Sequence, residues 1–205
     1  MTDAVPRRAR VVRRARRGLA AAVGVLALAA AACEDRASFR GVALEPPEPA
    51  PTLRLAGAAG DTFDLAAERG NVVLLFFGYT QCPDVCPTTL AEWAQVRRAL
   101  GDDAARVRFV FVSVDPERDT PAMARDYARR FDSSFVGLVA DSATMTRLTP
   151  DFHLAAHAVP GEGGGYTMSH GSHFLVYDPR GRLRVLHTSG STADDVRADV
   201  ERLLD

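Results

Sequence analysis

A chain of 205 residues, 47% apolar and 25% charged, is long enough for one globular domain plus a non-globular appendage. The first 32 residues hold seven arginines (Arg7, Arg8, Arg10, Arg13, Arg14, Arg16, Arg17) against one acid, Asp3; the remainder carries 18 basic and 25 acidic residues, a net charge near −7. That balance sets nucleic acid aside as a partner. The two cysteines beyond Cys33, only four positions apart, set aside a disulfide-stapled fold.

The arginines are followed by residues 18–32, an uncharged run rich in Ala, Leu and Val, as in the two leading regions of an export signal. The run has 15 residues, short of the ~20 of a membrane-spanning helix, and ends in Ala30-Ala31-Ala32-Cys33. This resembles a bacterial lipoprotein signal, in which the cysteine is acylated and becomes the new N-terminus; a plain cleaved signal or a short uncleaved anchor is the alternative. An anchored domain would face the periplasm or another extracytoplasmic side of the bacterial cell membrane. Residues 34–51 are polar and proline-rich (Glu45-Pro46-Pro47-Glu48-Pro49-Ala50-Pro51) and are expected to be an extended spacer. The expected organisation is an export signal with its cysteine over 1–33, a linker over 34–51 and one domain over 52–205.

Within that domain, residues 53–55 and 62–65 predict a short hairpin around Gly57 and Gly60. Val72-Val73-Leu74-Leu75-Phe76-Phe77 is a continuous apolar run of the buried-strand type. A helix follows with Leu90, Trp93, Val96 and Leu100 on one face. Further along come a strand over 107–114, a helix over 121–131, a strand over 136–139 and a short helix over 142–148. After a glycine-rich loop at 161–165, residues 174–177 and 183–187 predict a hairpin across Pro179-Arg180-Gly181, and 192–204 a closing helix. The order is that of an α/β, thioredoxin-like fold: a central mixed sheet flanked by helices, with an N-terminal hairpin and a C-terminal β-hairpin plus helix.

The chemistry is concentrated in Gly78-Tyr79-Thr80-Gln81-Cys82-Pro83-Asp84-Val85-Cys86-Pro87, directly after the first long buried strand. A helix starting at or near Cys82 would put both sulfurs on one face, about 5–6 Å apart at Cβ. The helix N-terminus adds partial positive charge and free N–H groups, which favour thiolates. Two thiolates select Cu(I), zinc or iron–sulfur over calcium or magnesium. The pair alone is incomplete for most metals, so another donor is needed. His170 and His173 lie between the glycine-rich loop and the next strand, at a junction that faces the cysteine turn in this topology, and either could complete a site of two sulfurs and one nitrogen. His153 and His157 have helical i, i+4 spacing; they and His187 are read as ordinary, partly exposed side chains.

Residues 78–87, together with Phe111-Val112-Ser113-Val114-Asp115-Pro116-Glu117-Arg118-Asp119-Thr120-Pro121 and the stretch 170–181, resemble the Sco/SenC family over nearly all of 53–204. These are thioredoxin-fold copper chaperones that help assemble the dinuclear copper centre of cytochrome c oxidase. The resemblance implies Cys82, Cys86 and His170, nine residues before Pro179, as ligands for Cu(I) or Cu(II). It also implies Cys82 and Cys86 as a redox disulfide pair. Its implied partners are the copper-bearing oxidase subunit and another copper chaperone or thiol reductase. Family members commonly place Asp before this histidine; here the residue is Ser169, and His173 is an addition.

Asp115 and Asp119 leave the end of a central strand and are assigned either to partner docking or to support of the site, while Thr120 before Pro121 reads as a helix cap. Three functions use two such sulfurs: copper delivery, which is not catalysis; thiol–disulfide reduction that keeps the target's cysteines free; and peroxide reduction, which Thr80 to Cys82 does not match.

Overall fold

The computed structural model describes residues 38–152, 154, 156–161 and 165–205, so the export-signal and acylation expectations for 1–33, with Cys33, lie outside the described residues. Among the described residues no helix is long and apolar enough to cross a membrane.

One unit runs from Phe39 to Asp205. At its centre is a six-stranded mixed sheet in the order β1-β10-β9-β4-β5-β6, formed by β1 (Val42–Pro49), β4 (Val72–Gly78), β5 (Val107–Ser113), β6 (Val136–Val139), β9 (His173–Tyr177) and β10 (Arg182–Thr188). β4, β5 and β6 are parallel, whereas β9, β10 and β1 add antiparallel pairings. The apolar run of β4 is continuous because successive side chains go to opposite faces and both faces are covered. Val72, Leu74 and Phe76 meet α1 (Val85–Ala99), α2 (Pro121–Arg129) and α4 (Ala193–Leu204). Val73, Leu75 and Phe77 meet the hairpin β2 (Arg54–Ala56)–β3 (Thr62–Asp64) and α3 (Ser142–Asp151). Trp93 on α1 anchors the first layer, with its ring centre 5.4–6.2 Å from those of Phe76, Phe109, Phe135 and Phe174. The hairpin expectations and the order of the helices thus hold, with Thr120 capping α2 by accepting from the Met123 amide.

Three expectations are corrected. Residues 42–49, read as spacer, form β1, pairing Val42 with Leu186 and Pro49 with Arg182. Prolines are tolerated there because β1 is an edge strand and its ladder is interrupted between Ala43 and Glu48. Residues 39–41 are fixed as well: the amides of Arg40 and Gly41 donate to buried Asp199 at 2.8–3.0 Å. The glycine-rich loop is the turn of a further hairpin, β7 (His157–Pro160) and β8 (Tyr166–Ser169), closed by Gly161 N donating to Gly165 O at 2.8 Å. His157 therefore opens a strand and not a helix, and His153 lies outside the described residues. Finally, His187 is 1% exposed, stacked on Phe174 and 2.9 Å from Asp199, because it is on the inward-facing side of β10.

Candidate metal centre

β4 and β5 run parallel and β9 runs against β4, so the loop after Gly78, the loop after Ser113 and the β8–β9 junction meet at one end of the sheet. The helix starts at Val85, three residues later than Cys82, with Asp84 at the cap position and making no side-chain cap bond. Cys82 is instead in the preceding turn, where its amide donates to Tyr79 O at 3.2 Å. Its sulfur takes over the cap: Cys86 N donates to Cys82 Sγ at 3.4 Å. Cys86 occupies the first helical turn and is fully buried. The sulfurs converge through this cap geometry and not through two stacked helical positions.

Two features hold the turn in place. Asp119, 3% exposed, accepts from the Thr80 amide at 2.8 Å and from the hydroxyls of Thr80 and Ser113 at 2.5 Å. Gly78 leaves room for Cys86: a Cβ there would come within 2.6 Å of its sulfur and 2.9 Å of the Phe111 ring. Neither Thr80, Ser113 nor Gly78 was singled out by sequence; the small residue closing an otherwise bulky apolar strand was the available signal.

His170 comes from the β8–β9 junction. Its Nε2 is 3.8 Å from Cys82 Sγ and 3.7 Å from Cys86 Sγ. Its Nδ1 is 3.0 Å from the Gly171 carbonyl, an acceptor only, so Nδ1 carries a proton and Nε2 is turned toward the sulfurs. A backbone carbonyl thus orients the ring, with Ser169 in place of the family's Asp. Phe76 and Tyr79 meet the imidazole edge-on, with ring centres 5.9 and 5.5 Å away. The two sulfurs and the nitrogen all lie within 4.8 Å of one another, and among the described residues no other group of His, Cys, Asp or Glu forms such a cluster. His173 begins β9 with its ring against Gly171, outside this cluster.

The two thiols have opposite characters. Cys82 is pushed down to about 3, chiefly by the Cys86 thiol hydrogen-bonding to it; burial opposes this, and His170 and the amides of Cys86 and Asp84 assist. Cys86 is pushed up because it holds the shared proton, is buried, and has the Cys82 and Asp119 charges nearby. Cys82 is thus the more acidic sulfur of the pair, and neither cysteine is in a disulfide. Two soft sulfurs and one imidazole nitrogen form a three-coordinate donor set that suits Cu(I). Asp115, like Asp119, is buried and faces inward, so the pair presents no acidic surface; Asp115 accepts from Arg118 Nε at 2.5 Å and from the Tyr166 hydroxyl at 2.7 Å.

The model of the SCO1/SenC family matches residues 45–205. The chain belongs to the SCO1/SenC family. Its fold is shared with copper-bound ScoI of Bradyrhizobium japonicum, 38% identical, with a TM-score of 0.69 over 76% of this chain and 99% of that one. Apo Sco1 of Thermus thermophilus is 36% identical, with a TM-score of 0.75 over 83% and 99% of the two chains. An SCO2-like protein of Rickettsia felis is 30% identical over 125 residues, 60% of this chain. The match spans about three fifths of the length of that relative.

Proposed function

We propose that this domain binds one copper ion through Cys82, Cys86 and His170 and delivers it to the copper-bearing subunit of cytochrome c oxidase during assembly. The observation that carries this reading is the cluster of three soft or borderline donors within 4.8 Å, with His170 Nε2 turned toward both sulfurs. Copper is cargo here, and the protein's part is to hold the sulfurs reduced, close together and short of protons. Loading displaces the proton shared by Cys82 and Cys86, so binding weakens as pH falls. A Cys82–Cys86 disulfide blocks loading, which gives a redox partner, a thiol reductase or a second chaperone, a place in the cycle. Acylation of Cys33 would anchor the chain to the extracytoplasmic side of the membrane; Cys33→Ala should then release it to the soluble fraction, and continued membrane association refutes the lipid anchor.

The low value of Cys82 beside a buried Cys86 favours one second reading, a thiol–disulfide reductase that keeps the target's cysteines free. The two mechanisms disagree on His170. In the full chain, His170→Ala should weaken copper binding by more than about 10–100-fold while disulfide exchange with a model substrate stays within about tenfold. Copper binding at wild-type affinity in His170→Ala/His173→Ala would overturn the carrier reading and leave the reductase.

A further inference from the structure

The hairpin that leads into His170 pairs only with itself. β7 and β8 form a separate two-stranded sheet, and all four residues of β7 are exposed. Such a hairpin is marginal alone, so the position of His170 depends on side-chain ties to the main body. The densest of these is a closed ring of contacts around Arg118. Its Nε donates to buried Asp115 at the end of β5, and its Nη1 donates to the Tyr166 carbonyl at 2.8 Å. Its guanidinium carbon lies 3.7 Å from the centre of the Tyr166 ring, and the Tyr166 hydroxyl returns to Asp115 at 2.7 Å. The same guanidinium is 5.6 Å from the centre of the Tyr79 ring, which in turn meets the His170 imidazole.

We propose that Arg118, fixed by Asp115, is a positioning residue that clamps β8 and the Tyr79 ring and so holds His170 over the two sulfurs. This rests on the copper-binding reading above and names the device that sets the third ligand. The guanidinium does three things that no other side chain could do together. Its planar fork reaches a carboxylate and a carbonyl at once, and its face stacks on an aromatic ring. Lysine retains the charge but supplies neither the fork nor the stacking face. Asp115 is thereby assigned to support of the site and not to docking.

The test is a double-mutant cycle in the reduced full-length chain, with Cu(I) affinity measured by competition against a chromophoric Cu(I) chelator. Arg118→Gln and Arg118→Lys should each weaken Cu(I) binding by about tenfold or more when His170 is present. In the His170→Ala background the same changes should shift affinity by less than about twofold, since the clamp then positions nothing. In the His170→Ala background the Arg118 changes should leave the rate at which Cys82 reacts with a thiol reagent within about twofold, a readout that general loosening of the site would move. Tyr166→Phe removes only the hydroxyl bonded to Asp115 and should give a smaller loss in the same direction, which keeps the test open if the arginine variants fold poorly. An equal loss with and without His170, or no loss in either arginine or tyrosine variant, overturns the clamp. Equal affinity of wild type and His170→Ala would instead overturn the ligand assignment itself.

Discussion

Replacing Asp119 with alanine removes the acceptor of three hydrogen bonds at once: the Thr80 amide at 2.8 Å and the hydroxyls of Thr80 and Ser113 at 2.5 Å. Bonds to a charged acceptor each contribute about 1.5–3 kcal/mol, but burial of the carboxylate costs several kcal/mol, so the three do not simply add. The irreducible part is the Thr80 amide, which has no rotational freedom; stranding a buried donor costs about 1–3 kcal/mol. The hydroxyls can rotate, and Ser113 keeps the Asp115 amide as a donor at 3.2 Å, so together they add about 1–2 kcal/mol. The expected loss for Asp119→Ala is therefore about 2–5 kcal/mol. Asp119→Asn keeps an acceptor but turns an NH2 toward one donor, with an expected loss of about 1–2 kcal/mol. Denaturant titration at constant slope measures both, and Cu(I) competition should show weaker binding in both variants, since Thr80 belongs to the turn that carries Cys82. A loss below about 1 kcal/mol for the alanine variant would refute the assignment of Asp119 as the tie between that turn and the sheet.

Gly78→Ala should cost about 1–3 kcal/mol and lower Cu(I) affinity, because the added methyl would sit 2.6 Å from Cys86 Sγ against a buried wall; unaltered affinity by chelator competition contradicts this. A chain lacking residues 38–51, which removes β1 and the bonds from Arg40 and Gly41 to Asp199, should melt at least about 5 °C lower; an unchanged midpoint restores the spacer reading. Burial alone would raise the Asp199 carboxyl, but the His187 imidazole 2.9 Å away and hydrogen bonds from the Gly41 and Arg40 amides overcome it and hold the group below the usual carboxylate range. A depressed value stabilises the fold above the unfolded-state value of about 3.9, and that stabilisation is lost as pH falls through the lower folded value. Stability of the wild type should therefore fall more steeply below about pH 4 than that of Asp199→Asn, and parallel pH profiles in thermal melts count against the assignment.

The central strands and their helices were legible because burial on both faces writes itself locally. The run at 72–77 and the spacing of Leu90, Trp93 and Val96 need no distant information. The two thiols were equally plain, four residues apart in a motif flanked by prolines. The third donor was not: local reading left His170 and His173 open, and only the family resemblance chose between them. The position of Cys82 was misread because a sulfur acting as a helix cap has no propensity signature, so the helix was expected to begin three residues early.

Which residues could form a buried sheet, which two sulfurs would lie at its end and in what order the elements come are all properties written locally along the chain. Tertiary structure decided the rest, since each remaining feature is a contact between distant parts of the chain. The proline-rich segment becomes a strand only because β10 offers an edge, and the Arg40 amide finds its acceptor 159 residues away. His187 is buried because β10 turns it toward Asp199 and Phe174. His170 meets Cys86 and Cys82 across 84 and 88 residues, held by a hairpin whose own pairing does not reach the main sheet. Hydrophobic periodicity reports only whether a side chain is buried; which partner it meets there is set by the register of strands that are far apart in the chain.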